Sequence, residues 1–245
     1  MLIDLSKCTA CRGCQVACKE WNQLPAETTH GFGGPGYQNP PDLSANTLTL
    51  VYFREVAEGG NLKWLFRKHQ CMHCNVAVCV ELCPVGAVQK HEMGFTVVDE
   101  DKCIGCEVCE KFCPFDAARR DERTRKLAIC KFCIDRVTNG LTPACAKTCP
   151  TGAIQFGDRE ALLARAHAVR TSAGKGHLRL YGEQEMGGLH VLYLLPADPL
   201  KYGLPVDPRM PDPFTVYAFL QQTLAKLPNR EGVLTAAALR YFAHA

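Results

Sequence analysis

The stretch Cys8-Thr9-Ala10-Cys11-Arg12-Gly13-Cys14-Gln15-Val16-Ala17-Cys18 places four cysteines at the spacing C-x2-C-x2-C-x3-C. The same spacing returns at Cys103, Cys106, Cys109 and Cys113. Cys71, Cys74, Cys79 and Cys83 form a second group, C-x2-C-x4-C-x3-C, and Cys130, Cys133, Cys145 and Cys149 a fourth, C-x2-C-x11-C-x3-C. The chain of 245 residues holds 16 cysteines, so these four groups leave none over.

The dense spacing of groups one and three is that of bacterial ferredoxins, in which the fourth cysteine serves the other of two clusters. Three cysteines at steps of three on a tight loop can grip three corners of one cubane. A short helix then carries the fourth away, towards a second. Proline lacks an amide hydrogen and restricts the residue before it, so it ends such a helix. Pro84, Pro114 and Pro150 stand directly after groups two, three and four; group one has Lys19 there. The small residues Ala10, Gly13 and Gly105 are expected to let the backbone approach inorganic sulfide, where amide donors tune the potential. Four [4Fe–4S] clusters are the expected cofactors. A disulfide scaffold suits a short secreted chain with scattered cysteines. Zinc ribbons pair two C-x2-C knuckles roughly 15–20 residues apart and leave the dense groups unexplained. The radical-SAM spacing C-x3-C-x2-C does not occur.

Composition is that of a globular protein, with 47% hydrophobic and 22% charged residues. A formal charge of +3 makes no case for nucleic acid. It counts every cysteine as neutral; with about −2 on each of four thiolate-bound clusters the loaded chain would carry roughly −5. The best apolar run, Val233–Ala243, is too short for a membrane span and contains Arg240. Met1–Lys7 does not read as a signal peptide. The expectation is a soluble chain without a transmembrane anchor. It would be periplasmic if exported with a signal-bearing partner, and otherwise cytoplasmic.

Internal echoes organise the chain. Ile3-Asp4-Leu5-Ser6-Lys7-Cys8 matches Val98-Asp99-Glu100-Asp101-Lys102-Cys103, and Cys83-Pro84-Val85-Gly86-Ala87 matches Cys149-Pro150-Thr151-Gly152-Ala153. Each unit reads as strand, cluster loop, short helix, cysteine, turn, strand. Groups two and three form an uninterrupted block, which leaves groups one and four to pair around it. The expected fold class is α+β, with two ferredoxin-like two-cluster domains, one inserted in the other. Residues 1–30 and 125–160 would hold groups one and four, and 66–124 groups two and three. Residues 31–65 would form a loop and β-hairpin, and 161–245 a C-terminal helical extension that docks on a partner or closes the domain. Gly31–Pro41 reads as a loop, and its glycines do not lead a strand into a helix, which disfavours a nucleotide loop. Alternation predicts strands over Thr47–Val56 and Leu62–Arg67. Asp158 is predicted to cap a helix running to about Arg170, and Leu189–Leu195 to form a strand. Tyr202–Pro213 reads as extended, and Pro213–Leu227 and Glu231–Ala243 as helices.

No dinucleotide fingerprint, P-loop or haem attachment motif is present. His69 and His73 flank Cys71 and read as structural histidines. The mixed charges of Arg119–Lys126 read as a solvated turn. No nucleophile–base pair is apparent, so no catalytic residue is assigned and substrate chemistry is expected on another subunit. Four clusters without a substrate site describe a wire for single electrons.

The ordered groups resemble the four-cluster iron–sulfur subunits of molybdenum or tungsten bis-pterin oxidoreductases. Three stretches are similar to the formate dehydrogenase iron–sulfur (beta) subunit: Cys8 to Asn22, Asn39-Pro40-Pro41-Asp42-Leu43, and Pro143 to Ile154. Gly187 to Tyr193, Gly203-Leu204-Pro205 and Asp207-Pro208 are similar to it too. The resemblance implies four ligand sets. One is Cys8, Cys11, Cys14 and Cys149; the next is Cys18, Cys130, Cys133 and Cys145. The others are Cys71, Cys74, Cys79 and Cys113, and Cys83, Cys103, Cys106 and Cys109. It implies that the one/four pair faces a large catalytic subunit carrying the Mo or W bis-pterin cofactor, and that the two/three pair leads outward. Membrane-bound relatives end in a transmembrane helix; the sequence here shows none, which points to a soluble redox acceptor of cytochrome or ferredoxin type, or to a further subunit. Relatives acting on polysulfide, thiosulfate, dimethyl sulfoxide or nitrate share the cysteine frame, and a free polyferredoxin or a zinc-bound interaction module are rival readings.

Overall fold

A computed structural model describes residues 1–29, 37–172, 174–225 and 230–242. Gly31, Gly33, Gly34 and Gly36 of the Gly/Pro loop, and Ala243, lie outside the described residues. The chain runs β1 (Leu2–Asp4), α1 (Gly13–Trp21), β2 (Leu50–Glu58), β3 (Asn61–His69), α2 (Val78–Glu81), β4 (Val88–Lys90), β5 (Thr96–Val98), α3 (Val108–Phe112), β6 (Arg119–Arg120) and β7 (Leu127–Ala128). It continues with α4 (Ile134–Val137), α5 (Ala144–Lys147), β8 (Ile154–Gln155), α6 (Arg159–Thr171), β9 (Arg179–Tyr181), β10 (Leu192–Leu195), α7 (Pro213–Thr223) and α8 (Arg230–Phe242).

The largest sheet has the strand order β8-β1-β10-β9. β1 lies parallel to β10, with Leu2 opposite Leu192 and Asp4 opposite Leu194, and antiparallel to β8. Side chains on a strand alternate between faces. Leu2, Leu192 and Leu194 accordingly pack beneath Leu162, Leu163 and Ala166 of α6. Ile3, Tyr193 and Leu195 enter the main core on the other face. With both faces covered, β10 reads as the continuous apolar run Leu-Tyr-Leu-Leu, fully buried. The segment 161–245 supplies two strands to this sheet: β10, within the strand expected over Leu189–Leu195, and β9, which the sequence did not indicate.

β2 and β3 pair antiparallel from Leu50–His69 to Glu58–Asn61 across the tight turn at Gly59 and Gly60. Two small hairpins, β4–β5 and β6–β7, frame groups two and three. Asp158 caps α6, its Oδ1 accepting from the Ala161 amide at 3.0 Å. Asp212 caps α7 in the same way through Thr215, with Pro213 in the first turn. The Tyr202–Pro213 segment begins with a 3-10 turn at Pro199–Tyr202 and is otherwise irregular. In the Arg119–Lys126 run, Arg119 and Arg120 form β6 and the rest is the mostly exposed turn leading to β7. Arg119 points inward and donates to Asp42, to the Leu43 carbonyl and to Asp116.

Helix lengths follow the punctuation after each group. α2 and α5 are single turns, and α3 is little longer. α1, in which Lys19 instead of proline follows Cys18, runs nine residues to Trp21. Lys19 donates to the Asn46 carbonyl at 2.7 Å and to Glu27 at 3.2 Å. Burial raises the Glu27 pKa, but hydrogen bonds from Ser44, Thr47 and Lys19 reverse this and hold it below its ordinary value. The exception in group one thus serves as an anchor for the loop before β2.

Candidate iron–sulfur centres

None of the sixteen cysteines is joined in a disulfide. The four loops share one backbone device. The second residue after the first cysteine has a left-handed conformation in each: Ala10 (φ 54), His73 (φ 50), Gly105 (φ 65) and Phe132 (φ 53). L-residues adopt this region rarely, and it folds the backbone back on itself. In three of the four loops the turn aims an amide at the sulfur two residues earlier. Phe132 N lies 3.4 Å from Cys130 Sγ, and the amides of Ala10 and His73 serve Cys8 and Cys71. Ala87 N reaches Cys83 Sγ at 3.2 Å. The glycine in group three has a more particular reason. A Cβ at Gly105 would stand 2.1 Å from the Arg125 carbonyl oxygen, so the crowding comes from the segment preceding β7. At Gly13 a Cβ would meet only ordinary contacts, the nearest Cys11 Sγ at 3.6 Å.

The thiols gather across the groups. Cys8 lies within electrostatic reach of Cys11 and Cys149, and Cys14 of Cys8, Cys11 and Cys145. Cys18, one helical turn beyond Cys14 on α1, faces Cys130, Cys145 and Cys133 instead. Cys71 is near Cys74, Cys79 and Cys113. Cys109 is near Cys79, Cys106, Cys83 and Cys103. Cys83, Cys103, Cys106 and Cys109 line a single cavity with the apolar walls Val85, Val88, Ile104 and Leu127.

These surroundings fit a cluster better than a single ion. Tetrahedral zinc–thiolate bonds of about 2.3 Å put sulfurs roughly 3.8 Å apart. Among the described residues the one group of three or more metal-ligating side chains within 4.8 Å of one another is Asp42, His69 and Asp116, with no cysteine in it. His69 uses both ring nitrogens elsewhere, with Arg67 at 2.7 Å and the Asp116 carbonyl at 2.9 Å, so it is the structural histidine expected. Burial pushes the thiols of Cys14, Cys79 and Cys130 up to about 12 and that of Cys106 up to about 11. Thiolates in such sites require positive charge beside them, which iron supplies.

One residue that the sequence reading passed over stands among the thiols. Lys68, at the end of β3, is 2% exposed. It lies near Cys145, Cys14, Cys130 and Cys18, and its Nζ donates to Thr49 Oγ1 at 3.0 Å. The signal available was the polar run Arg67-Lys68-His69-Gln70 closing a strand just before Cys71, all four residues buried. His73 is also buried, its Nδ1 accepting from Thr96 N at 3.1 Å and its Nε2 unpartnered. Its ring packs on Phe132 at 4.6 Å, so the group-two loop touches the group-four loop through two aromatic rings.

Comparison with known proteins agrees with this chemistry. Residues 62–159 and 7–87 each match a family described as a 4Fe-4S dicluster domain. The iron-sulfur subunit of the nitrate-inducible formate dehydrogenase of Escherichia coli K12 is 42% identical over 216 residues, covering 85% of this chain and 73% of the relative. Formate dehydrogenase 2 subunit beta (cytochrome c-553) of Nitratidesulfovibrio vulgaris Hildenborough is 38% identical, covering 82% and 94%. A subunit of the anaerobic dimethyl sulfoxide reductase of Escherichia coli K12 is more distant, at 34% over 159 residues, 63% of this chain and 71% of that one. No helix among the described residues is long and apolar enough to cross a membrane. With ferredoxin-type dicluster domains and formate dehydrogenase relatives along most of its length, this protein belongs to the family of formate dehydrogenase iron–sulfur subunits, the electron-transfer subunits of an oxidoreductase.

Proposed function

We propose that this chain holds four [4Fe–4S] clusters and conducts electrons between a formate-oxidising catalytic subunit and an external redox acceptor. The carrying observation is the gathering of thiols across groups, Cys18 with Cys130, Cys133 and Cys145 above all. The proposed ligand sets are Cys8, Cys11, Cys14, Cys149; Cys18, Cys130, Cys133, Cys145; Cys71, Cys74, Cys79, Cys113; and Cys83, Cys103, Cys106, Cys109. When bound, such clusters accept and release one electron at a time.

The chain's own residues provide the rest. Loop amides donate to cysteine sulfur, and buried walls such as Val88 and Leu127 keep water from the ligands. On this reading the group two/three domain, residues 66–124, is inserted in the group one/four domain, residues 1–30 and 125–160. The one/four pair faces a large subunit carrying a Mo or W bis-pterin cofactor, where formate meets carbon dioxide. The two/three pair faces the acceptor, a soluble protein of cytochrome or ferredoxin type or a further subunit. The name of the Nitratidesulfovibrio relative includes cytochrome c-553. The chain is soluble in the complex, periplasmic if exported with its partner and otherwise cytoplasmic.

Anaerobic affinity purification from the native host tests this, with Mo, W and Fe assays and formate-dependent dye reduction. The expected result is a large Mo- or W-containing partner, about 16 iron atoms per copy of this chain, and formate activity. A large partner without formate activity would move the function to another substrate. An isolated brown monomer would overturn the subunit role, and a colourless zinc protein the clusters.

A further inference from the structure

We propose that the Lys68 ammonium is a fixed counter-ion shared by two adjacent clusters, those held by groups one and four, and that it raises the reduction potential of both. The proposal rests on the ligand sets given above.

A buried ammonium is costly unless an opposite charge compensates it. Lys68 is 2% exposed, yet no carboxylate lies within ion-pair distance of it among the described residues. Its hydrogen-bond partner is the neutral hydroxyl of Thr49, which donates onward to Gln70 Oε1 at 3.1 Å. Both residues are buried, so the series Lys68–Thr49–Gln70 locks the ammonium in place. The negative groups that face it are thiols: Cys14 from one proposed cluster, and Cys18, Cys130 and Cys145 from the next.

The other lysines near the cysteine loops are built differently. Lys90 donates to the Cys74 and Gly94 carbonyls and lies near Cys71, Cys74 and Cys79, thiols of one proposed cluster only, and Lys126 donates to the Cys103 carbonyl, each from a partly buried position. They pin ligand loops from the rim. Among the described residues Lys68 binds no loop carbonyl, and its charge is left for the thiolates. A reduced cluster carries one more negative charge than an oxidised one, so a fixed cation nearby favours reduction. Because one ammonium serves both clusters, the two potentials are raised together.

The test is Lys68→Met in the assembled complex, with iron and acid-labile sulfide counted first and each cluster then followed by EPR-monitored potentiometric titration. The wild-type count decides the ligand reading separately: fewer than four clusters would overturn that, whatever Lys68 does. With four present, the expected result is a negative shift of two potentials and no change in the other two. Lys68→Arg, which keeps the charge, should hold both near their wild-type values. Four unchanged potentials in a fully loaded Lys68→Met protein, or an equal shift of all four, would overturn the proposal. Should Lys68→Met lose iron, the same two clusters should be the ones lost, and Lys68→Arg should restore them. Loss of all four, or no restoration by arginine, would overturn it equally.

Discussion

The Arg240 guanidinium of α8 donates to the Cys83 carbonyl at 3.1 Å, across 157 residues of sequence. The same side chain reaches the carbonyls of Glu81 and Val80, each at 2.9 Å, and the neighbouring Tyr241 hydroxyl donates to the Leu82 carbonyl. Carbonyls at the end of a helix lack partners inside it. One arginine therefore caps α2 and fastens α8 over the group-two helix, which carries Cys79 and leads to Cys83. These contacts hold α8 against the segment that carries Cys79 and Cys83.

Removing that clamp should loosen α8. Arg240→Ala deletes charge-assisted hydrogen bonds worth about 1.5–3 kcal/mol in favourable settings, less where solvent competes. Native-state hydrogen exchange should quicken in α8 and in 78–83, with the β1–β10 sheet unchanged. Uniform quickening would show that the arginine does not act locally.

The proposed exchange of ligands between groups makes a sharp expectation for one cysteine. Cys18→Ser should perturb the cluster held by Cys130, Cys133 and Cys145. The cluster held by Cys8, Cys11, Cys14 and Cys149 keeps its four thiolates. EPR of the reduced variant would show which signal changes, and loss of the group-one signal instead would sink the proposed ligand sets.

Gly105→Ala should be poorly tolerated. The residue has φ +65, and its new Cβ would lie 2.1 Å from the Arg125 carbonyl oxygen. A left-handed alanine costs about 1 kcal/mol and overpacking typically 1–3 more. Thermal unfolding should shift down by several degrees. Gly13→Ala is the control, since its nearest contact is 3.6 Å, and an equal shift in both would contradict the steric argument.

Acid should destabilise the contact around His190. Burial first, then Lys90, the chain's amino terminus and Arg159, bring its pKa down from 6.5 to about 4. Its Nε2 lies 2.9 Å from Asn75 Oδ1, which makes it the donor when neutral. The folded value is below the unfolded one, so the unfolded state binds the proton more readily. This stability is complete above pH 6.5 and declines as pH falls towards 4. With the ring half open to solvent, about 1 kcal/mol is the expected scale. His190→Gln should flatten the loss between pH 6.5 and 4 in denaturant titrations; an unchanged slope would rule the histidine out as its source.

Much of this protein is legible in its cysteines. Four groups at fixed spacing establish a ferredoxin-type protein, because ligand chemistry and helix-stopping prolines act over a few residues. The cap at Asp158 and the alternation in β2 and β3 are equally local, and their positions could be read to within a few residues. The central sheet could not be read this way. Leu192–Leu195 is a short apolar run that says it will be buried but not against what. Its parallel place beside β1, some 190 residues earlier, is decided by the covering of both faces at once. The same limit hid Lys68. A lysine in a strand reads as solvent-facing, since burial of an ammonium is costly; only packing that brings group-one and group-four thiols around it makes the position tenable. Spacing along the chain picked out the residues proposed to bind, and three-dimensional closure decided which charges surround them.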